Sequence, residues 1–276
     1  MITWGAHRPT LKVNKHGVAV VSWTTSSGAR KHTLAWGAIN ARQPSKSVPQ
    51  VRFRLDYSGG WGSFGGGYWR RVRNACTRYT GPRLADLVYA CDAPDGSYWA
   101  LQAWRRRLSD GGWVGTRKQE SKELHLSHWR GGLPGLHIHM DWAYRKYYRL
   151  FGYLGYDGMR VYGLSATGRG NPLDGYGRNV YVDVHNPPWG RGWYRFNSGL
   201  THNPDGNFCI GMYALYRRPP AMGDAYRATV MGPGVTPIVT WSGAAPGRFN
   251  PLVEAADGQI ERAFISNPSD TCLRTS

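Results

Sequence analysis

The sequence predicts a mainly β protein, an antiparallel sandwich or barrel-like single domain over residues 1–276, and three observations carry that expectation. Short runs rich in Val, Ile, Tyr and Trp recur along the chain, separated by turn-forming residues. The 37 Gly and 17 Pro are spread throughout and never gather into a low-complexity tract. The 13 Trp and 17 Tyr far outnumber the 7 Phe, and such amphipathic rings suit half-buried strand positions. A chain of 276 residues is long enough to bury a sizeable core.

Taken in order, residues 18–39 read as two β-rich runs joined by a Ser26-Ser27-Gly28 turn, a hairpin. Val51, Phe53, Leu55 and Tyr57 alternate with Arg52, Arg54 and Asp56, which is the period of a strand with one apolar and one charged face. The period then changes. Leu84, Leu87, Val88 and Cys91 fall at i, i+3, i+4 and i+7, and Tyr98, Leu101, Trp104 and Leu108 follow a similar rule. That spacing predicts a short helical insertion around residues 68–108, interrupted at Pro94 and Asp95-Gly96. Strands resume at Glu123. Asp157-Gly158, between two aromatic-rich runs, supplies the positive φ angles of a type I′ hairpin turn. Residues 179–185, 208–216 and 226–241, the last around Gly232-Pro233-Gly234, add further strands. The only candidate boundary is the Arg-Arg-Pro-Pro stretch at 217–220.

The charge is lopsided: 35 Lys and Arg against 17 Asp and Glu give a formal +18. Of the 35, 28 are Arg and 7 are Lys, and Arg is the better bidentate partner for oxyanions. Such a field draws polyanions, among them an anionic polysaccharide or, as another polyanion of the same reach, nucleic acid. No basic run is long enough to read as a disordered nucleic-acid tail. No apolar stretch is long enough to span a membrane as a helix.

Cys76, Cys91, Cys209 and Cys272 have no C-x-x-C spacing and no neighbouring His at zinc-site intervals. Four cysteines with abundant aromatics suit a disulfide framework, Cys76 with Cys91 and Cys209 with Cys272, although two other connectivities exist. A secreted or cell-surface protein is expected. The N-terminal MITWGAHRPTLKVNKHG lacks an apolar h-region, so the signal peptide is expected to have been removed.

Two stretches hold the candidate chemistry. In LHIHMDW, a strand places His137, His139 and Asp141 on one face and Leu136, Ile138, Met140 and Trp142 on the other. Glu123, His125 and Ser127 share a face of the preceding run, and a hairpin could bring the rows together. His137, His139, Asp141 and His125 are thus candidate ligands for zinc or a similar divalent ion. Over these few residues the stretch resembles the His-x-His-x-Asp-His signature of metallo-β-lactamase-like hydrolases, with Trp142 standing where that signature has its next histidine. The second stretch is SGGWGSFGGGYW at 58–69. It contains G-x-G-x-x-G, but Arg52 and Arg54 on the preceding strand argue against a dinucleotide-binding unit, whose first strand is apolar on both faces. The same loop offers Trp61, Tyr68 and Trp69 beside Arg70 and Arg71, a platform for stacking and for anion contacts.

The resulting expectation is an exported binding protein that recognises an anionic or glycan polymer of the cell envelope or extracellular space through an Arg and aromatic surface, without a cofactor. Two alternatives stand beside it: a metal-dependent hydrolase centred on His137, His139 and Asp141, and a self-assembling structural surface protein.

Overall fold

A computed structural model describes residues 1–42, 49–105, 122–161, 165–166, 172–173, 180–187, 193–196, 200–202, 206–212 and 222–264. The first part of the chain forms β1 (Thr3–Trp4), β2 (His7–Val13), β3 (Ala19–Thr24), β4 (Arg30–Trp36), β5 (Arg54–Asp56), β6 (Thr77–Arg78), β7 (Leu87–Asp92), β8 (Tyr98–Arg105) and β9 (Lys122–Trp129). Strands β2 to β5 pair in sequence order as one antiparallel sheet, here sheet I, and β1-β9-β8-β7-β6 form sheet II. Ala19, Val21, Trp23 and Ala35 of sheet I pack against Cys91, Trp99, Leu101, Leu124 and Leu126 of sheet II. The two sheets therefore face each other across one apolar layer.

The remainder forms β10 (Gly135–Ala143), β11 (Tyr147–Tyr156), β12 (Met159–Arg160), β13 (Ser165–Ala166), β14 (Pro172–Leu173), β15 (Val180–His185), β16 (Trp193–Phe196), β17 (Leu200–His202), β18 (Asn207–Met212), β19 (Ala225–Val230), β20 (Val239–Ala244) and helix α1 (Pro251–Phe264). Sheet III runs β10-β11-β18-β17 with β12 hydrogen-bonded to β11; sheet IV runs β16-β15-β19-β20; β13 and β14 form a ribbon. Met140, Trp142, Leu150, Phe208 and Ile210 of sheet III meet Val180, Val182, Val184, Tyr226 and Ala228 of sheet IV in a second apolar layer. The protein is mainly β, and of the two architectures expected the sandwich is the one built.

A polar seam joins the two sandwiches. The side chain of Gln102, fully buried on β8, donates from Nε2 to the Ile238 carbonyl (3.0 Å) and accepts from the Ile238 amide at Oε1 (2.8 Å). His128 donates its amide to the Val235 carbonyl, and Val235 donates to the Asn40 carbonyl. Trp104, Tyr181 and Ile238 pack together beside this seam.

The helical insertion around residues 68–108 is overturned. Leu87–Asp92 and Tyr98–Arg105 are strands, and among the described residues of that stretch the helical content is one 3-10 turn, Tyr68–Arg70. The physical reason lies in β8, where Trp99, Ala100, Leu101, Gln102 and Trp104 are all buried. A strand covered on both faces loses its alternation, and its apolar residues fall on helical spacings by chance. A bulge between Leu87 and Tyr89 disturbs the period further. The helix that does form, α1, begins in a signal the pattern reading passed over: the Asn250 side chain accepts the Leu252 amide (3.0 Å), and Pro251 follows it.

Both expected hairpin turns hold. The 18–39 hairpin forms, with Gly28 at φ +85°. Asp157 and Gly158 both take positive φ, 52° and 73°, as a type I′ turn requires. The expected strand at 51–57 shrinks to β5, and its facing is reversed at the end: Asp56 is buried while Leu55 and Tyr57 are exposed. Residues 217–220 lie outside the described residues, as does Cys272. Cys76 and Cys91 are bonded with Cα atoms 5.5 Å apart, and Cys209 is also disulfide-bonded.

Candidate functional site

The histidine row obeys the strand alternation. Leu136, Ile138, Met140 and Trp142 point into the layer between sheets III and IV, which leaves His137, His139 and Asp141 on the outer face. There each meets a different partner. His137 stacks on Tyr153 with ring centroids 4.5 Å apart. His139 Nε2 lies 2.7 Å from Asp257 Oδ1 of α1. Asp141, fully buried, takes a two-point contact from Arg149, Nε to Oδ1 at 3.2 Å and Nη2 to Oδ2 at 2.9 Å. Arg149 Nη2 also lies 2.8 Å from Glu261 Oε1. A guanidinium thus supplies the positive charge that a metal would bring to these carboxylates, and their interaction holds it firmly protonated.

The hairpin expected to set the Glu123 row beside this one does not form. Strand β9 pairs with β1 and β8, and β10 pairs with β11. His125 is buried in sheet II, its Nε2 2.8 Å from Glu123 Oε2. His128 points to the opposite face, stacked on Trp99 at 3.8 Å. Among the described residues no three His, Cys, Asp or Glu side chains are grouped so that they could hold a metal ion. His137, His139, Asp141 and His125 are not one ligand set, because each is drawn to a nearer partner on its own sheet or on α1.

The glycine-rich loop is organised by Asp56. Its carboxylate accepts from the Ser58 amide (2.9 Å), the Ser58 hydroxyl and the Ser63 amide (2.9 Å). Those bonds, the Ser58 hydroxyl foremost, hold Asp56 below the usual carboxylate range. The loop folds over the outer face of sheet I, where Phe64, Tyr68 and Trp69 cover Val18, Val20, Leu34 and Val72. Two stacks result. Arg70 lies over Trp69 (5.3 Å), and Trp69 lies flat on His32 (3.5 Å). Arg71 lies over Tyr68 (5.5 Å), Tyr68 stacks on Phe64 (4.6 Å), and Phe64 meets Trp36 edge-on (4.9 Å). The faces of Tyr68 and Trp69 are therefore engaged, and Trp61, 69% exposed, is the free ring of the predicted set.

What the motif reading did not show is the company these residues keep. Cross-strand register sets Lys12 beside Val20, Arg30 beside Thr24, and Arg54 beside Trp36, all on the face that the loop covers. Lys12, Arg30, Arg54, Arg70 and Arg71 are exposed, and among the described residues none of them is ion-paired with a carboxylate. Burial first, then the charges of Arg30 and Arg70, keep His32 below its ordinary basicity. Residues 1–85 contain 14 Lys and Arg and a single acid, Asp56, which the loop consumes. A count by segment, in place of the whole-chain charge, is the signal that finds this face.

Fold, charge and disulfide define a class: a basic β-sandwich protein with an arginine and aromatic face. Comparison with protein-family models, curated proteins and solved structures finds no match to this chain.

Proposed function

We propose that this is an exported binding protein that grips an anionic polymer of the cell envelope or extracellular space with the outer face of sheet I. The observation that carries the reading is the concentration of positive charge there, with Lys12, Arg30, Arg54, Arg70 and Arg71 exposed and without a carboxylate partner among the described residues, while Asp56, the one acid of residues 1–85, is buried. Stacking under Arg70 and Arg71 reduces the rotamer entropy lost when an oxyanion docks, since rings already restrain both guanidinium groups. Trp61 provides a ring at the edge of the face for a sugar or base. The Cys76–Cys91 disulfide supports an oxidising compartment.

The test is titration of the whole chain with a sulfated glycan, polygalacturonate and duplex DNA over a range of salt concentrations. Binding should weaken steeply with salt, and the Arg70→Gln, Arg71→Gln double variant should bind more weakly with a salt slope smaller by roughly two charges. Loss of all binding for one polymer class alone would name the partner. Undiminished binding by the double variant would refute the assignment of the face.

A further inference from the structure

We propose that the cleft beside His137, Tyr153 and Arg160, in sheet III, binds a small polyhydroxylated monoanion, an acidic sugar of the hexuronate kind. The cleft measures about 390 Å3, the size of a small-ligand site, and is walled by Leu133, Tyr156 and Met159. Its floor is bare backbone. Gly135 and Gly155 are cross-strand partners, and a Cβ on them would come 3.3 and 3.5 Å from His137 Nε2.

Gly155 pairs with Gly135 on one side and with Arg160 on the other, so His137 and Arg160 flank Tyr153 from opposite strands. His137 stacks at 4.5 Å, and the Arg160 guanidinium lies 4.4 Å from the same ring centroid. With its ring flanked on both sides, Tyr153 offers little to an aromatic ligand such as a nucleobase. What the cleft offers instead is polar edges. Arg160 is fixed by donating Nη1 to Asn207 Oδ1 (2.6 Å), and its other N–H groups remain to meet one carboxylate. The exposed His137 makes no hydrogen bond in the described structure, and Asp157 on the adjoining turn presents an acceptor. A carboxylate lining the same cleft as the guanidinium disfavours a densely charged anion and suits hydroxyl donors, which together describe a sugar acid.

The site lies on a different sheet from the face proposed above, so either can fail alone. The experiment is calorimetric and NMR titration of the full chain with glucuronate, galacturonate, glucose and inorganic phosphate. A hexuronate should bind at least about tenfold more tightly than glucose, a difference of about 1.4 kcal/mol. Arg160→Gln should weaken it about tenfold, and Gly155→Val, which fills the floor at a position whose backbone accepts a side chain, should abolish it with the far-UV circular dichroism unchanged. The Arg70→Gln, Arg71→Gln variant should bind hexuronate as the parent does. Equal affinity for glucose, equal affinity for inorganic phosphate, or undiminished binding by Gly155→Val would overturn the proposal.

Discussion

His128 stacks on Trp99, donates Nδ1–H to the Ala38 carbonyl (2.6 Å) and faces the Ser97 hydroxyl at Nε2 (2.8 Å). Burial pushes its pKa down to about 4 from an ordinary 6.5. A histidine whose folded value lies below its unfolded value contributes stability that is complete above pH 6.5 and drains as the pH falls toward 4. The Ala38 carbonyl and the Asp95 carboxylate oppose part of that depression, and the loss reached by pH 4.5 is roughly 2–3 kcal/mol. Urea unfolding at pH 7 and pH 4.5 should show that loss in the parent and a smaller one in His128→Asn. His32 works in the other sense, on function. A polyanion that neutralises Arg30 and Arg70 removes two of the influences that lower its basicity, so binding takes up a proton there and tightens as the pH falls. Affinity measured from pH 7.5 down to 5.5 should rise more steeply in the parent than in His32→Asn. Arg149 is the most exacting single position. Arg149→Met removes the buried guanidinium that Asp141 and Glu261 share, and denaturation should report a loss of about 3–5 kcal/mol.

Among the elements, α1 inverts the usual logic of a surface helix. Its carboxylates Asp257 and Glu261 are buried against His139 and Arg149, while Leu252 is 81% exposed. The apolar spacing of Leu252, Val253, Ala256 and Ile260 is helical but marks the exposed face, so the contact of α1 with the histidine row was not legible even though its start at Asn250-Pro251 was. Strand β8 was hidden for the complementary reason, since burial on both faces erases the period that marks a strand. By contrast β10 and the Asp157-Gly158 hairpin could be read directly, because one face is apolar and the turn needs two positive φ angles. The link between β6 and β7 was readable as well: Cys76 and Cys91 close a 15-residue loop. Its removal in Cys76→Ser, Cys91→Ser should cost about 3 kcal/mol in the chain-entropy account, seen as a Tm lower by several degrees.

At the scale of the whole molecule, two sandwiches meet at a seam in which Gln102 replaces a strand partner for Ile238. Gln102→Leu strands a buried amide and a buried carbonyl, each worth about 1–3 kcal/mol. Thermal unfolding of the parent should be a single transition, and the variant should show two as the sandwiches uncouple. The amino-acid order alone determined the β class, the alternation of the histidine strand, the principal turns and the excess of arginine, because each depends on neighbours within a few residues. Which groups meet was decided by the tertiary structure. Pairing of β9 with β8 and β1 separates His125 from His137, Arg149 arrives between Asp141 and Glu261, and register collects Lys12, Arg30 and Arg54 beside a loop that sequence places far from two of them. Charge and burial depend on distance in space, and a linear pattern carries that distance only where the chain itself is local.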